Sequence, residues 1–282
     1  TLAKVPVLSV CEQINFLRKI NMSASSDRLL DRVLVTNDDG INGPGLAIAE
    51  HVGKHVSKEV WTVAPAEDCS GGSRQLNLHK ALRIQKHGEK RFSVTGSPAD
   101  CVMMGVGEIM GDKKPDLIIS GVNAGLNIGG DCGFSGTVGA AMTADVLGIP
   151  GVALSQAWRE RNNIPWQTSK EWLPSVVQKL IELPSWPWNF VPNINVPAVQ
   201  ASDVKGISMA KQGMTTRVSP AIERRVDLRH QDYYWLYLSK DHGEPGPEED
   251  ISILRENYIA VSPLSRNITD QSALSELSKT FS

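Results

Sequence analysis

Val33-Leu34-Val35-Thr36-Asn37-Asp38-Asp39-Gly40 sets a short β-branched apolar run directly against two adjacent carboxylates and a glycine. The run has no alternating polar position, which is the pattern of a strand buried on both faces, as in a parallel sheet. Beyond the glycine-rich turn, Leu46-Ala47-Ile48-Ala49-Glu50-His51-Val52 carries apolar residues at helical spacing. The segment therefore reads as strand, loop and helix.

Working outward, the same alternation returns. Val60-Trp61-Thr62-Val63-Ala64 is a second strand ending at Pro65, and Leu117-Ile118-Ile119-Ser120 a third that runs into another glycine-rich loop. The alanine-rich stretch Thr137 to Leu147 is helical, Gly148-Ile149-Pro150 stops it, and Gly151-Val152-Ala153-Leu154-Ser155 is again a strand. Such alternation predicts an α/β layered fold whose ligands sit outside the carboxyl ends of the strands. Between these units, Leu76-Asn77-Leu78 and Leu82-Arg83-Ile84 suggest an antiparallel ribbon. Later, Lys170 to Leu183 predicts a helix, Asn193-Ile194-Asn195-Val196 a strand, and Tyr233 to Leu238 a second ribbon strand, its aromatics placed to cover a partner subunit or a substrate base. Residues 1–31 read as an appendage: Val10, Ile14, Leu17 and Ile20 form an amphipathic pattern, followed by a polar link from Asn21 to Asp27.

Composition narrows the partners. With 41% hydrophobic and 21% charged residues over 282 positions, the chain is an ordinary globular protein. A net charge of −2 supplies no broad positive field for duplex nucleic acid or an anionic membrane. No apolar run approaches the roughly 18 residues of a membrane span. Cys11, Cys69, Cys101 and Cys132 are scattered and read as free thiols, which suits a cytoplasmic setting, or an organellar one if an upstream targeting segment was removed.

The candidate chemistry lies in the loops after the strands. Adjacent Asp38 and Asp39 repel each other unless a cation or strong donors offset their charge, and a hard divalent ion does so; the competing reading makes one of them a helix cap or Asx-turn residue. Ser70 in the second loop and Asn123 and Asn127 in the third offer neutral oxygens suited to Mg²⁺ or Mn²⁺, or serve simply as turn residues. Ser135-Gly136-Thr137 opens the alanine-rich helix, where unpaired N–H groups bind phosphate or a hydroxyl caps the helix. His51 and His55 lie four apart but beside Lys54 and Lys58, so a solvated face is the better reading. Gly40, Gly43 and Gly45 lack the dinucleotide spacing.

Taken together, the chain resembles the SurE survival-protein family of metal-dependent nucleotidases and acid phosphatases. The resemblance rests on Val33 to Gly40 with Pro44-Gly45, Val63-Ala64-Pro65 with Ser70-Gly71, Gly96-Ser97-Pro98-Ala99-Asp100-Cys101-Val102, Ser120-Gly121-Val122-Asn123-Ala124-Gly125 and Ser135-Gly136-Thr137-Val138, in that order. It continues through Asn193 to Pro197, Lys205-Gly206-Ile207 and Tyr258 to Leu264. It implies a Rossmann-like three-layer sandwich with a mainly parallel sheet, an extended β-hairpin, and a C-terminal tail exchanged in a homodimer or homotetramer. On that reading the core covers about 32–200 and the hairpin and tail about 201–282. The resemblance places one divalent ion per subunit (Mg²⁺ or Mn²⁺, with Ca²⁺ also accommodated) on Asp38, Asp39, Ser70 and Asn123, and phosphate on Asn127, Ser135, Gly136 and Thr137. Asp38 and Asp39 are then catalytic, hydrolysing nucleoside monophosphates. An aspartyl-phosphate route and a nucleotide sensor without turnover are the alternatives. Some members carry a histidine where this chain has Ser252, close to Asp250.

Overall fold

The computed structural model of the chain describes residues 29–214, 217–241 and 243–281. The expected N-terminal amphipathic pattern lies outside them. Nine strands form one sheet in the order β3-β4-β2-β1-β5-β6-β7-β11-β8. Its centre is β1 (Leu30–Thr36), paired in parallel with β2 (Ser57–Pro65) on one side and β5 (Leu117–Ala124) on the other. From β5 the sheet runs in parallel through β6 (Gly151–Gln156) to β7 (Val191–Val196). Strand order therefore reverses beside β1, which makes the carboxyl end of β1 a topological switch point.

Burial on both faces explains the unbroken apolar runs. Val33 and Val35 of β1, with Leu117 and Ile119 of β5, join a core shared with helices α1 (Pro44–Val56) and α4 (Trp166–Ile181). Leu34 and Ile118, pointing the other way, pack with α2 (Pro98–Met104) and α3 (Gly136–Val146). Successive strand side chains thus serve opposite layers. The result is the three-layer α/β sandwich that the family resemblance implies. The helix expected over Lys170 to Leu183 starts a turn earlier and ends at Ile181.

The ribbon in the 73–94 region is displaced from its expected position. Leu76-Asn77-Leu78 forms no strand; the hairpin is β3 (Ile84–Gly88) with β4 (Arg91–Val94). Asn77 is instead pinned by the Asp100 carboxylate, which accepts its backbone N–H at 3.0 Å and its amide at 2.6 Å, and Leu78 is left exposed. A side-chain clamp of this kind outcompetes a ladder that has no partner strand.

The sheet continues past residue 200 with β8 (Gly206–Met209), parallel to β11 (Tyr258–Leu264), which is antiparallel to β7. Between them a separate hairpin rises, β9 (Arg217–Val226) against β10 (Asp232–Asp241). The aromatic run predicted as a ribbon strand is β10; its partner β9, rich in charged residues, carries no comparable apolar signal. Tyr233 through Leu238 are all exposed, as is Ile222 opposite. Short α5 (Asp250–Arg255) returns the chain to the sheet, and terminal α6 (Gln271–Thr280) buries none of its residues. Among the described residues no helix is long and apolar enough to cross a membrane.

Candidate active site

Asp38 is buried at the carboxyl end of β1, with its carboxylate met by the N-terminus of α3. Thr137 donates its backbone N–H to one oxygen at 3.2 Å and its hydroxyl to the other at 2.7 Å. Gly136 is required by this approach: a Cβ there would lie 2.9 Å from the Asp38 Cβ and 3.1 Å from its Oδ2. Ser135 is the N-cap, its Oγ accepting from Val138 N at 3.0 Å, which leaves the hydroxyl proton outside that bond. The cap reading of Ser135 is therefore realised, while both Thr137 donors are spent on the Asp38 carboxylate.

Asp39 is half-buried and accepts weakly from Ala124 N at 3.4 Å. Gly43 permits the turn that carries it, since a Cβ at Gly43 would sit 2.7 Å from that of Asp39. Asn123 is half-buried near the carboxyl end of β5; its amide nitrogen donates to Gly125 O at 3.1 Å, leaving Oδ1 as the oxygen available to a cation. Ser70 is exposed, with its N–H held by Asp68 Oδ1 at 2.7 Å, and the preceding Cys69 N–H donates to Asp38 O at 2.8 Å. These contacts tie the β2 loop to the acidic pair.

Asn127 lies deeper. Its amide donates to Ser155 Oγ at 2.9 Å, its N–H goes to Asn195 Oδ1, and its carbonyl accepts from Asn193 and Asn195. Asn193 and Asn195, two apart in β7, share a face and hold this loop. Their functional meaning was missed in the sequence, although two asparagines with period two inside a buried strand were a signal. Asp250 was also underrated. Its buried carboxylate accepts from Gly129 N and Gly213 N, joining the loop after β5 to the base of the β9–β10 hairpin. Ser252 lies on α5, two residues after Asp250. His51 and His55 are exposed on α1, away from the strand ends.

The electrostatics test whether a cation fits. Burial pushes the Asp38 carboxyl above the usual carboxylate range, against the hydrogen bonds from Thr137. Burial and the neighbouring Asp38 charge raise Asp39 from 3.8 to about 6, with Arg161 a small opposing influence. Arg161 is the positive charge that Asp39 feels, and it does not offset the cost of burying this pair of carboxylates. Among the described residues no group of three or more His, Cys, Asp and Glu gathers as metal ligands. Two carboxylates with a hydroxyl and an amide oxygen nevertheless suit a hard ion that retains waters. The residues fit a divalent cation.

The sign of the pH effect follows. A carboxyl whose folded pKa is raised stabilises the fold while protonated, below about 4, and that contribution is lost as pH climbs through about 6. For half-exposed Asp39, screening leaves on the order of 1–2 kcal/mol. Chelator-treated protein should therefore lose stability between pH 4 and 6, and added Mn²⁺ should raise Tm more at pH 7.5 than at pH 5. Equal increments in a thermal melt at the two pH values would remove these carboxylates from the ligand set.

An acidic pair at the switch point of a parallel sheet, faced by a helix N-terminus, defines a class: Rossmann-like α/β proteins that gather an anionic ligand at the strand ends. The family model described as survival protein SurE matches residues 33–219. The chain belongs to the SurE family. It is 43% identical over 249 residues to 5'-nucleotidase SurE 1 of Burkholderia lata, covering 88% of this chain and 96% of that one. It is 40% identical over 252 residues to 5'-nucleotidase SurE of Hyphomonas neptunium, covering 89% and 99%. The crystal structure of the SurE protein from Aquifex aeolicus superposes with a TM-score of 0.74 at 29% identity, covering 89% of this chain and all of that one.

Proposed function

We propose that the protein is a divalent-metal-dependent phosphomonoesterase that hydrolyses nucleoside monophosphates to nucleoside and phosphate. The observation that carries this reading is the uncompensated Asp38–Asp39 pair set against the N-terminus of α3. Relatives named 5'-nucleotidase supply the substrate class.

Asp38, Asp39, Ser70 and Asn123 would hold one Mg²⁺ or Mn²⁺ per subunit. When bound, the ion neutralises phosphate charge and lowers the pKa of a coordinated water. Asp38, fixed through both oxygens by Thr137, orients the attacking water and receives its proton. Burial makes this carboxylate a stronger base than a solvated aspartate. Ser135, Gly136 and Asn127 line the phosphate side, where the hydroxyl proton of Ser135 and the N–H of Gly136 meet oxygens that gain charge in the transition state. Because both Asp38 oxygens already accept hydrogen bonds, a held ligand suits it better than the nucleophile of an aspartyl-phosphate route. The exposed apolar surface of the hairpin, with Leu274 and Leu277 of α6, supports a homodimer or homotetramer.

Phosphate release from a panel of nucleoside monophosphates by chelator-treated protein, before and after Mg²⁺ or Mn²⁺, tests the reading. Release restored by metal is expected. Nucleotide binding with no release under any condition would identify a sensor instead.

A further inference from the structure

The turn that carries Asp39 is braced from two strands away. Asp39 accepts from Ala124 N at 3.4 Å, a weak bond, so the place of its carboxylate follows the backbone from Gly40 to Gly43. Two braces on that backbone are local to the strand ends: Asn37 donates its amide to Gly40 O at 2.9 Å, and Ile41 N–H donates to Pro65 O at 2.8 Å. The third brace is charged. Arg91, the first residue of β4, is separated from β1 by β2 in the sheet, and its Nη2 donates to Ile41 O at 2.7 Å. Its Nη1 pairs with the Glu50 carboxylate on α1. The same Glu50 oxygen accepts the hydroxyl of Thr62 at 2.9 Å, and Thr62 is the β2 residue that Arg91 faces in the ladder. Ile41 is buried, and Glu50 and Arg91 are part-buried, so solvent competes weakly for these bonds. One guanidinium fork thus serves a carboxylate and a carbonyl at once.

Resting on the metal-dependent reading above, we infer that Arg91 is a positioning residue for the divalent-ion site: through Ile41 O it sets the turn that presents Asp39, and Glu50 sets Arg91. A cation needs its oxygens held at fixed distances, so a turn free to shift lowers affinity even when every ligand is present. Asp38 has its own anchor in the two Thr137 donors, whereas Asp39 relies on the turn. Losing the Arg91 bond should therefore fall on metal affinity and spare turnover once the site is filled. Lysine separates the two arms of the fork. Its single ammonium keeps the pair with Glu50 and has no second arm for Ile41 O.

The test is Mn²⁺ binding to chelator-treated protein by calorimetry, which needs no turnover, beside phosphate release from AMP as Mn²⁺ is titrated. Arg91→Lys should raise the Mn²⁺ Kd and the half-saturating Mn²⁺ concentration about tenfold, with kcat at saturating Mn²⁺ within about twofold of the parent's. Its Tm in chelator should stay within about 4 °C, because the ion pair is kept. Lys90→Met is the control: it removes the neighbouring positive charge, but that ammonium pairs with Glu59 at 3.1 Å, so Kd should stay within about twofold. A purely structural role would lower Tm and leave Kd unmoved. A parental Kd in Arg91→Lys overturns the proposal and leaves the metal site standing. Should Arg91→Lys fail to fold, Glu50→Gln carries the test, since it keeps an oxygen for Thr62 and Arg91 but removes the charge that holds the guanidinium. A rise in Kd of about threefold or more is then expected, and a parental Kd overturns the proposal. Mn²⁺ binding without phosphate release would refute the phosphatase reading alone, and a parent that binds no Mn²⁺ would remove both.

Discussion

Asp38→Asn is expected to lower kcat for metal-restored phosphate release by on the order of a thousandfold while leaving the metal-free fold intact. The two effects separate because the carboxylate is costly to the resting protein and needed in the loaded one. Asparagine is nearly isosteric and can still accept one of the two Thr137 hydrogen bonds. Its NH₂ group would face the other donor, a loss of about 1–2 kcal/mol. Against that, removing the charge relieves the burial that raises the Asp38 pKa. The metal-free melting temperature should therefore stay close to the parent's, and the Mn²⁺-induced rise should disappear. Steady-state kinetics with thermal melts in chelator and in Mn²⁺ would check both halves. Near-parental turnover would sink the assignment of Asp38, and collapse of the fold would show that its role is structural.

Gly45→Ala should be among the most damaging single changes that leave every candidate ligand in place. Gly45 lies in the first turn of α1, and a Cβ built on it would fall 1.8 Å from the Val122 carbonyl oxygen and 3.1 Å from the Trp166 ring. No rotamer can relieve a methyl group, so the helix or the end of β5 must move. Overpacking of this severity costs about 3 kcal/mol or more, lowering Tm by roughly 5–10 °C in a chain of this size. Val122 directly precedes Asn123, so the same displacement should weaken Mn²⁺ binding, measurable by calorimetry. Gly107→Ala, with open space around its Cβ position, is the control and should be nearly silent. If Gly45→Ala melts like Gly107→Ala, the contact between α1 and β5 is looser than the geometry requires.

Position within the fold explains which parts were legible. The strands β1, β2, β5 and β6 and the helices α1 and α3 could be read from local pattern because each is buried on fixed faces, and that burial writes continuous apolar runs or helical spacing into the chain. Asp38, Asp39, Ser70, Asn123 and Ser135 to Thr137 stood out because polar and glycine residues clustered where those runs stopped. The ribbon near residue 80 was misplaced because the competing clamp comes from Asp100, remote in sequence. β9 was unreadable because Glu223, Arg224 and Arg225 face solvent and only its pairing with β10 makes it a strand.

The sequence alone determined the α/β class, the order of its central units and the residue types at the strand ends, since these follow from local propensity and from which side chains must leave water. Tertiary structure decided what those residues do to one another. That Thr137 spends both donors on Asp38, that Asn193 and Asn195 brace Asn127, and that Asp250 ties the Gly129 loop to the hairpin base are contacts between residues 37 to 121 positions apart. Hydrogen bonds of such range arise only once the sheet order is fixed, because short polar side chains carry no local signal of a partner that the fold alone delivers.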